Sequence, residues 1–150
     1  MFTIQSKREL APRITEMKVL APRVAHSAMP GQFVIVRTDE LGERIPLTIC
    51  DYDREAGTVT IVTQAIGISS QKICDMNAGD NFADFAGPLG LPSDLTELSD
   101  EELSRLNILF VAGGVGTAPV YPQAKWLTQH GVKADVIIGA KTKSLFTYVE

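Results

Sequence analysis

Short runs of alternating or β-branched apolar residues recur through the first part of the chain, at 15–20, 32–36, 47–50 and 58–63. Each is closed by turn-forming residues: Ala21-Pro22, Met29-Pro30-Gly31, the acidic stretch 39–42, Ala56-Gly57 and the stretch 77–80. A period of two sets successive side chains on opposite faces of a strand, and Gly, Pro, Asn and Asp supply the turns. This pattern predicts a small antiparallel barrel or sandwich over residues 1–91. One helix is predicted inside it at 69–74, opened by the hydroxyls of Ser69 and Ser70 and stopped before Asn77 and Gly79.

The rhythm breaks at 92–106. Ser99 followed by Glu102 is a capping-box spacing ahead of Leu103 and Leu106, which predicts a short acidic surface helix in a linker. From Asn107 the pattern becomes α/β. Residues 107–112 form a continuous apolar run, as expected of a strand buried on both faces. A glycine-rich turn follows. The next stretch, 119–131, predicts a helix with Val120, Ala124 and Leu127 on one face, Pro119 in its first turn and Gly131 as the residue just past its end. Residues 134–139 predict a second buried strand. The organisation is thus a β domain at 1–91, a linker at 92–106, and one βαβ unit of an α/β domain at 107–150.

Composition narrows the function. The 150 residues carry 14 Lys+Arg against 18 Asp+Glu, a net charge of −4, so the basic footprint of a nucleic-acid binder is absent. With 45% hydrophobic residues the composition argues against disorder, and two cysteines cannot build a disulfide scaffold. No stretch approaches the roughly 20 apolar residues of a membrane span. The first residues show no apolar segment of a secretory signal, so the expected location is cytoplasmic. His26, His130, Cys50 and Cys74 form no metal-ligand spacing; the cysteines are expected to be free, buried thiols, and Trp126 to serve packing.

Three constellations could carry chemistry. The glycines 113, 114 and 116 lie between a strand and a helix, where backbone and helix N-terminus can receive a phosphate, although such a turn can equally be a tight corner. Arg44-Ile45-Pro46-Leu47-Thr48 offers a guanidinium fork and a hydroxyl, but alone it is a strand start with a surface arginine. Gly67-Ile68-Ser69-Ser70 joins a strand to a helix and suits either an anion or simple N-capping.

Taken in order, together with Pro30-Gly31-Gln32-Phe33, Asp51-Tyr52-Asp53, Gln64-Ala65-Ile66-Gly67 and the stretch from Gly87 to Pro92, these motifs resemble the ferredoxin–NADP reductase superfamily. The likeness is to the branch of the flavin subunits of NADH-dependent reduced ferredoxin:NADP oxidoreductase and sulfide dehydrogenase, near the electron-transfer subunit of dihydroorotate dehydrogenase. The resemblance implies a six-stranded antiparallel FAD-binding β-barrel followed by the first βαβ unit of a Rossmann-like domain. It implies that Arg44 contacts the flavin diphosphate, that Pro46 and Leu47 lie along the isoalloxazine, and that Thr48 faces its N5 region in the catalytic position. It implies Val62, Thr63 and Gln64 on the ribityl or adenine side, Gly67, Ser69 and Ser70 at the diphosphate, and Gly114, Gly116 and Thr117 near NAD(P)H.

The implied activity passes reducing equivalents between NAD(P)H, FAD and an iron–sulfur or ferredoxin-type partner, with a larger redox subunit beside it. Longer members of the branch add a Cys-rich segment for a [2Fe–2S] cluster, whose ligands are absent from this sequence. A lone βαβ unit leaves apolar surface uncovered, so the chain reads as shortened or as completed by a partner, which includes a second copy pairing at strand 136–138. The competing reading is a shortened, non-catalytic module with an interaction or structural role.

Overall fold

The computed structural model describes residues 1–148. Strands β1 (Phe2–Ala11) and β2 (Ile14–Leu20) form a hairpin whose turn places Arg13 at a φ of 66°. β1 escapes a reading by pattern because its middle, residues 5–9, is exposed polar chain held only by pairing with β2. Next come α1 (Pro22–Ser27), β3 (Phe33–Arg37), β4 (Ile45–Asp53), β5 (Thr58–Gln64), α2 (Ile68–Asp75), β6 (Asn81–Phe82) and β7 (Asp84–Leu89). Residues 21–22, read as a turn from sequence, instead open α1, because Pro22 sits in the first turn, where a missing N–H costs nothing.

The strands pair in the order β6-β1-β2-β5-β4-β3-β7. Only Ala83 separates β6 from β7, and its N–H donates to the Arg37 carbonyl at 2.9 Å. The last strand therefore pairs first with β1 and then with β3, which closes the ring. The expected six strands are present, and the sixth is divided where it changes partner. Closure removes the edges that an open sheet would expose. Ile4, Met17, Val19, Val34, Val36, Ile49, Val59 and Ile61 fill the interior, with Val24 and Ala25 of α1 and Ile73 of α2 added to it.

Beyond the barrel, α3 (Asp100–Ser104) begins with the predicted capping box: Ser99 Oγ accepts from the Glu102 N–H at 3.3 Å, and the Glu102 carboxylate accepts from the Ser99 N–H at 2.9 Å. The helix is more than a solvated surface, since Leu103 is fully buried against Leu127 and Val132. β8 (Ile108–Gly113) and β9 (Ala134–Gly139) form a parallel pair, joined by a 3-10 turn at Gly114–Gly116 and helix α4 (Thr117–Gln129). Gly131, at a φ of 74°, follows the helix end as expected. It donates to the Thr128 carbonyl at 3.1 Å while Val132 donates to the Leu127 carbonyl at 2.9 Å, a complete Schellman motif.

The expectation that both strands are buried on two faces is corrected. Leu109 is 55% exposed, Val111 70% and Ile137 55%. α4 covers one face of the pair and nothing among the described residues covers the other. Positions 149–150 of the 107–150 segment lie outside the described residues.

Candidate functional site

Strand β4 organises the site by its alternation. Ile45, Leu47 and Ile49 pack on the barrel core, so the side chains of Pro46, Thr48 and Cys50 point to the outer face. Leu47 therefore offers that face only its backbone. Thr48 stands opposite Phe33 of β3, and Pro46 opposite Ile35. The Thr48 hydroxyl is committed to no neighbour among the described residues.

The loop ahead of β4 is pinned by Asp39. Its carboxylate accepts from the Leu41 N–H at 2.9 Å, a bond that holds its pKa below the ordinary carboxylate value. The loop delivers Arg44 to the surface, where its guanidinium meets the Asp84 carboxylate at 3.2 Å. Arg37 meets the same oxygen at 3.3 Å.

The motif glycines around 31 and 87–90 have packing reasons. A Cβ on Gly31 would lie 2.8 Å from the Ser93 nitrogen, one on Gly87 2.7 Å from Val34, and one on Gly90 2.9 Å from the Phe33 ring. The Gln32 amide ties this wall together, donating to the Gly90 carbonyl at 2.9 Å and accepting from the Met29 N–H at 3.0 Å.

Gly67, Gly114 and Gly116 behave differently. A Cβ at any of the three would meet nothing within 4 Å. Gly67 and Gly116 also have φ values of −143° and −65°, open to any residue. Neither packing nor backbone conformation asks for glycine at these two positions, each of which caps a helix N-terminus.

The two serines divide their work. Ser70 Oγ accepts from the N–H groups of Ile66 and Gly67, each at 3.0 Å, and so shapes the turn itself. Ser69 Oγ donates to the Glu43 carboxylate. Thr117 is buried and donates to the Gly114 carbonyl at 3.0 Å, so its hydroxyl shapes the glycine turn from inside.

Val62 joins Cys50, Ile14 and Ala118 in a cluster that also takes in Val115, which sets the glycine turn against the far end of β5. Thr63 is buried, and its carbonyl lies 3.6 Å from the Cys74 thiol. The tertiary structure thus links the loop before Arg44 to the 67–70 turn through Glu43 and Ser69, and sets the 113–117 turn against β5 through Val115 and Val62.

The two segments are joined by Lys125 of α4, 2.7 Å from the Asp51 carboxylate. A second contact is Tyr148, which bonds both the Cys50 thiol, at 3.2 Å, and the Glu16 carboxylate. Burial pushes the Cys50 thiol up to about 12. Both cysteines are free and buried, and no group of three or more His, Cys, Asp or Glu among the described residues could hold a metal. No helix among them is long and apolar enough to cross a membrane. Sequence reasoning missed Glu43 and Asp84, although an acidic residue directly before Arg44 was a visible signal.

A barrel with Arg44 just ahead of β4 and Pro46 and Thr48 on that strand's outer face, followed by a glycine turn that opens a βαβ unit, is the fold shared with ferredoxin reductase-type structures. The chain is similar to electron transfer subunits of the dihydroorotate dehydrogenase B type and to ferredoxin–NADP oxidoreductase structures. It is 36% identical over 147 residues to a Thermotoga maritima homologue of the dihydroorotate dehydrogenase B (NAD(+)) electron transfer subunit, covering 98% of this chain and 50% of that protein. It is 55% identical over 150 residues to a Clostridium beijerinckii protein described only as lying in the adh 3' region, covering 100% of this chain and 51% of that one.

The solved structure of an NADH-dependent reduced ferredoxin–NADP oxidoreductase, described for flavin-based electron bifurcation, superposes with a TM-score of 0.90 at 35% identity, over 100% of this chain and 52% of that one. Phthalate dioxygenase reductase shares the fold at a TM-score of 0.71 and 18% identity, over 98% of this chain and 45% of that one. No protein-family model matches the chain. The chain spans about half the length of the curated relatives it matches.

Proposed function

We propose that this chain is the flavin-binding part of an electron-transfer oxidoreductase subunit, which passes reducing equivalents between NAD(P)H, FAD and an iron–sulfur or ferredoxin-type partner. The observation that carries the reading is the pair of glycines, Gly67 and Gly116, that neither packing nor φ requires. Glycine at a helix N-terminus facing open space lets a phosphate approach free N–H groups and the positive end of the dipole. Arg44 adds a fork donor on the loop whose preceding residue, Glu43, contacts Ser69 of the first of these turns.

The residues present fit FAD and a nicotinamide dinucleotide. Arg44, Gly67 and Ser69 would hold the flavin's diphosphate, with Pro46 and Thr48 on the same strand face along its ring. Gly114 and Gly116 would lie near the second nucleotide. When bound, the flavin exchanges hydride with a nicotinamide and single electrons with a metal centre; the protein's part is to hold and orient the rings. Thr48 contributes an uncommitted hydroxyl on that face. No acid–base pair is asked of the side chains. The relatives' names as electron transfer subunits support a larger partner subunit.

A non-catalytic interaction module is the second reading, and the uncovered Leu109, Val111 and Ile137 face favours it. The experiment is an absorbance spectrum of the purified protein followed by FAD titration. Bound or bindable flavin is expected. Arg44→Ala should weaken it by roughly 1.5 kcal/mol, the low end for a charge-assisted contact because Asp84 already competes. Gly67→Ala should weaken it while leaving stability within about 0.5 kcal/mol. A protein that neither carries nor takes up FAD, and oxidises no NAD(P)H with a dye acceptor, leaves the interaction module standing instead.

A further inference from the structure

Resting on that reading, we infer that Glu43 is an internal competitor for the anion site, and that a phosphate-bearing ligand enters by displacing its carboxylate from Ser69. Ser69 lies in the first turn of α2, where free N–H groups and the helix dipole favour negative charge. Its hydroxyl is the group most open to an incoming phosphate, since Ser70 is committed to the backbone of the turn. In this structure that hydroxyl already donates to a carboxylate, Glu43 Oε2.

Glu43 is exposed and directly precedes Arg44, yet its bond goes to Ser69 and not to that guanidinium. Arg44 is turned to Asp84, which also holds Arg37. One carboxylate thus orients the cation while another fills the hydroxyl position.

The place for the displaced side chain is also present. A small cavity of about 80 Å³ between the 38–45 loop and α2 is lined by Thr38, Glu43, Ser69 and Lys72. A Glu43 carboxylate leaving Ser69 therefore has the Lys72 ammonium within the same pocket to turn to, while the Thr38 hydroxyl is held by Asp39 at 3.2 Å. The exchange swaps one anion for another at a fixed donor set, so ligand binding need not rebuild the loop. An internal anion keeps the Ser69 hydroxyl satisfied without ligand.

The test is isothermal titration of the full chain, as apoprotein, with FAD and with ADP. It compares wild type with Glu43→Ala, Glu40→Ala, Ser69→Ala and the Glu43→Ala/Ser69→Ala double variant, with circular dichroism to confirm folding. Glu43→Ala should bind both ligands about fivefold more tightly, the scale of one exposed charged contact. Glu40→Ala removes the same charge from the same loop, has no bond to Ser69, and should match wild type. The gain from Glu43→Ala should vanish when Ser69 is already alanine.

Equal affinity for Glu43→Ala and wild type, or equal gains from Glu43→Ala and Glu40→Ala, would overturn the inference. If Arg44→Ala still weakens FAD in that case, the flavin reading stands without it. Failure of wild type and Glu43→Ala alike to bind either ligand overturns both.

Discussion

The barrel and the α/β segment solve the same problem in opposite ways. The barrel buries its apolar positions by closing on itself: β1 to β5 each have two neighbours, β6 and β7 divide the last position between β1 and β3, and Val59, Ile61, Val34 and Val36 are fully enclosed. The α/β segment has two strands and one covering helix, and half of its apolar sheet faces outward. An apolar run therefore means different things in the two regions. In the barrel the pattern alternates and is satisfied internally. In the α/β segment it is continuous and asks for a second cover that the described residues do not supply.

Substitution should expose this difference most strongly. Ile61→Ala in the barrel core should cost about 2–5 kcal/mol, the range for deleting a fully buried branched side chain. Val111→Ser on the outward face of β8 should stay within about 0.5 kcal/mol, because that side chain already contacts water. Urea unfolding of both variants makes the comparison. A large loss from Val111→Ser would mean that the face is covered in solution.

A smaller effect belongs to the α/β segment alone. Gly131→Ala forces a side chain into a left-handed φ at the Schellman motif and should cost about 1 kcal/mol. Hydrogen exchange should show faster opening of α4 and β9 while the barrel amides keep their protection. Equal acceleration in both regions would show that they unfold as one unit.

The last effect lies at the seam and is confined to alkaline pH. Burial raises the Cys50 thiol from 9.0 to about 12, so the folded state holds that proton more tightly than the unfolded chain. Its contribution is fully present below pH 9 and is lost as pH rises toward about 12. Burial also raises the Tyr148 phenol, which acts in the same alkaline direction. Cys50→Ala should flatten part of the alkaline decline in stability measured by urea unfolding from neutral pH upward. An unchanged decline would assign it to other groups.

Much of the architecture was legible because it rests on local rules. The alternation at 15–20 and 58–63 marks β2 and β5, the capping box at Ser99 marks α3, and Gly131 marks the end of α4. β1 was not legible, since its exposed centre carries no pattern and pairing alone makes it a strand. α1 was hidden because Ala21-Pro22 begins a turn and a helix alike. At the candidate site, Arg44, Thr48 and the glycines were visible as motifs. Glu43, Asp84 and the Tyr148 contacts depend on residues far apart in the chain, and local sequence carries no record of such distances.

The sequence alone determined the periodicities, the caps, the glycine turns and the order of the motifs, because each is fixed by the steric and hydrogen-bonding properties of neighbouring residues. The tertiary structure decided the closure of the barrel at Ala83 and the outward face of β4. It decided which glycines stand before open space and which carboxylates occupy Arg44 and Ser69. These depend on long-range packing, where a side chain's role is set by what the fold brings against it.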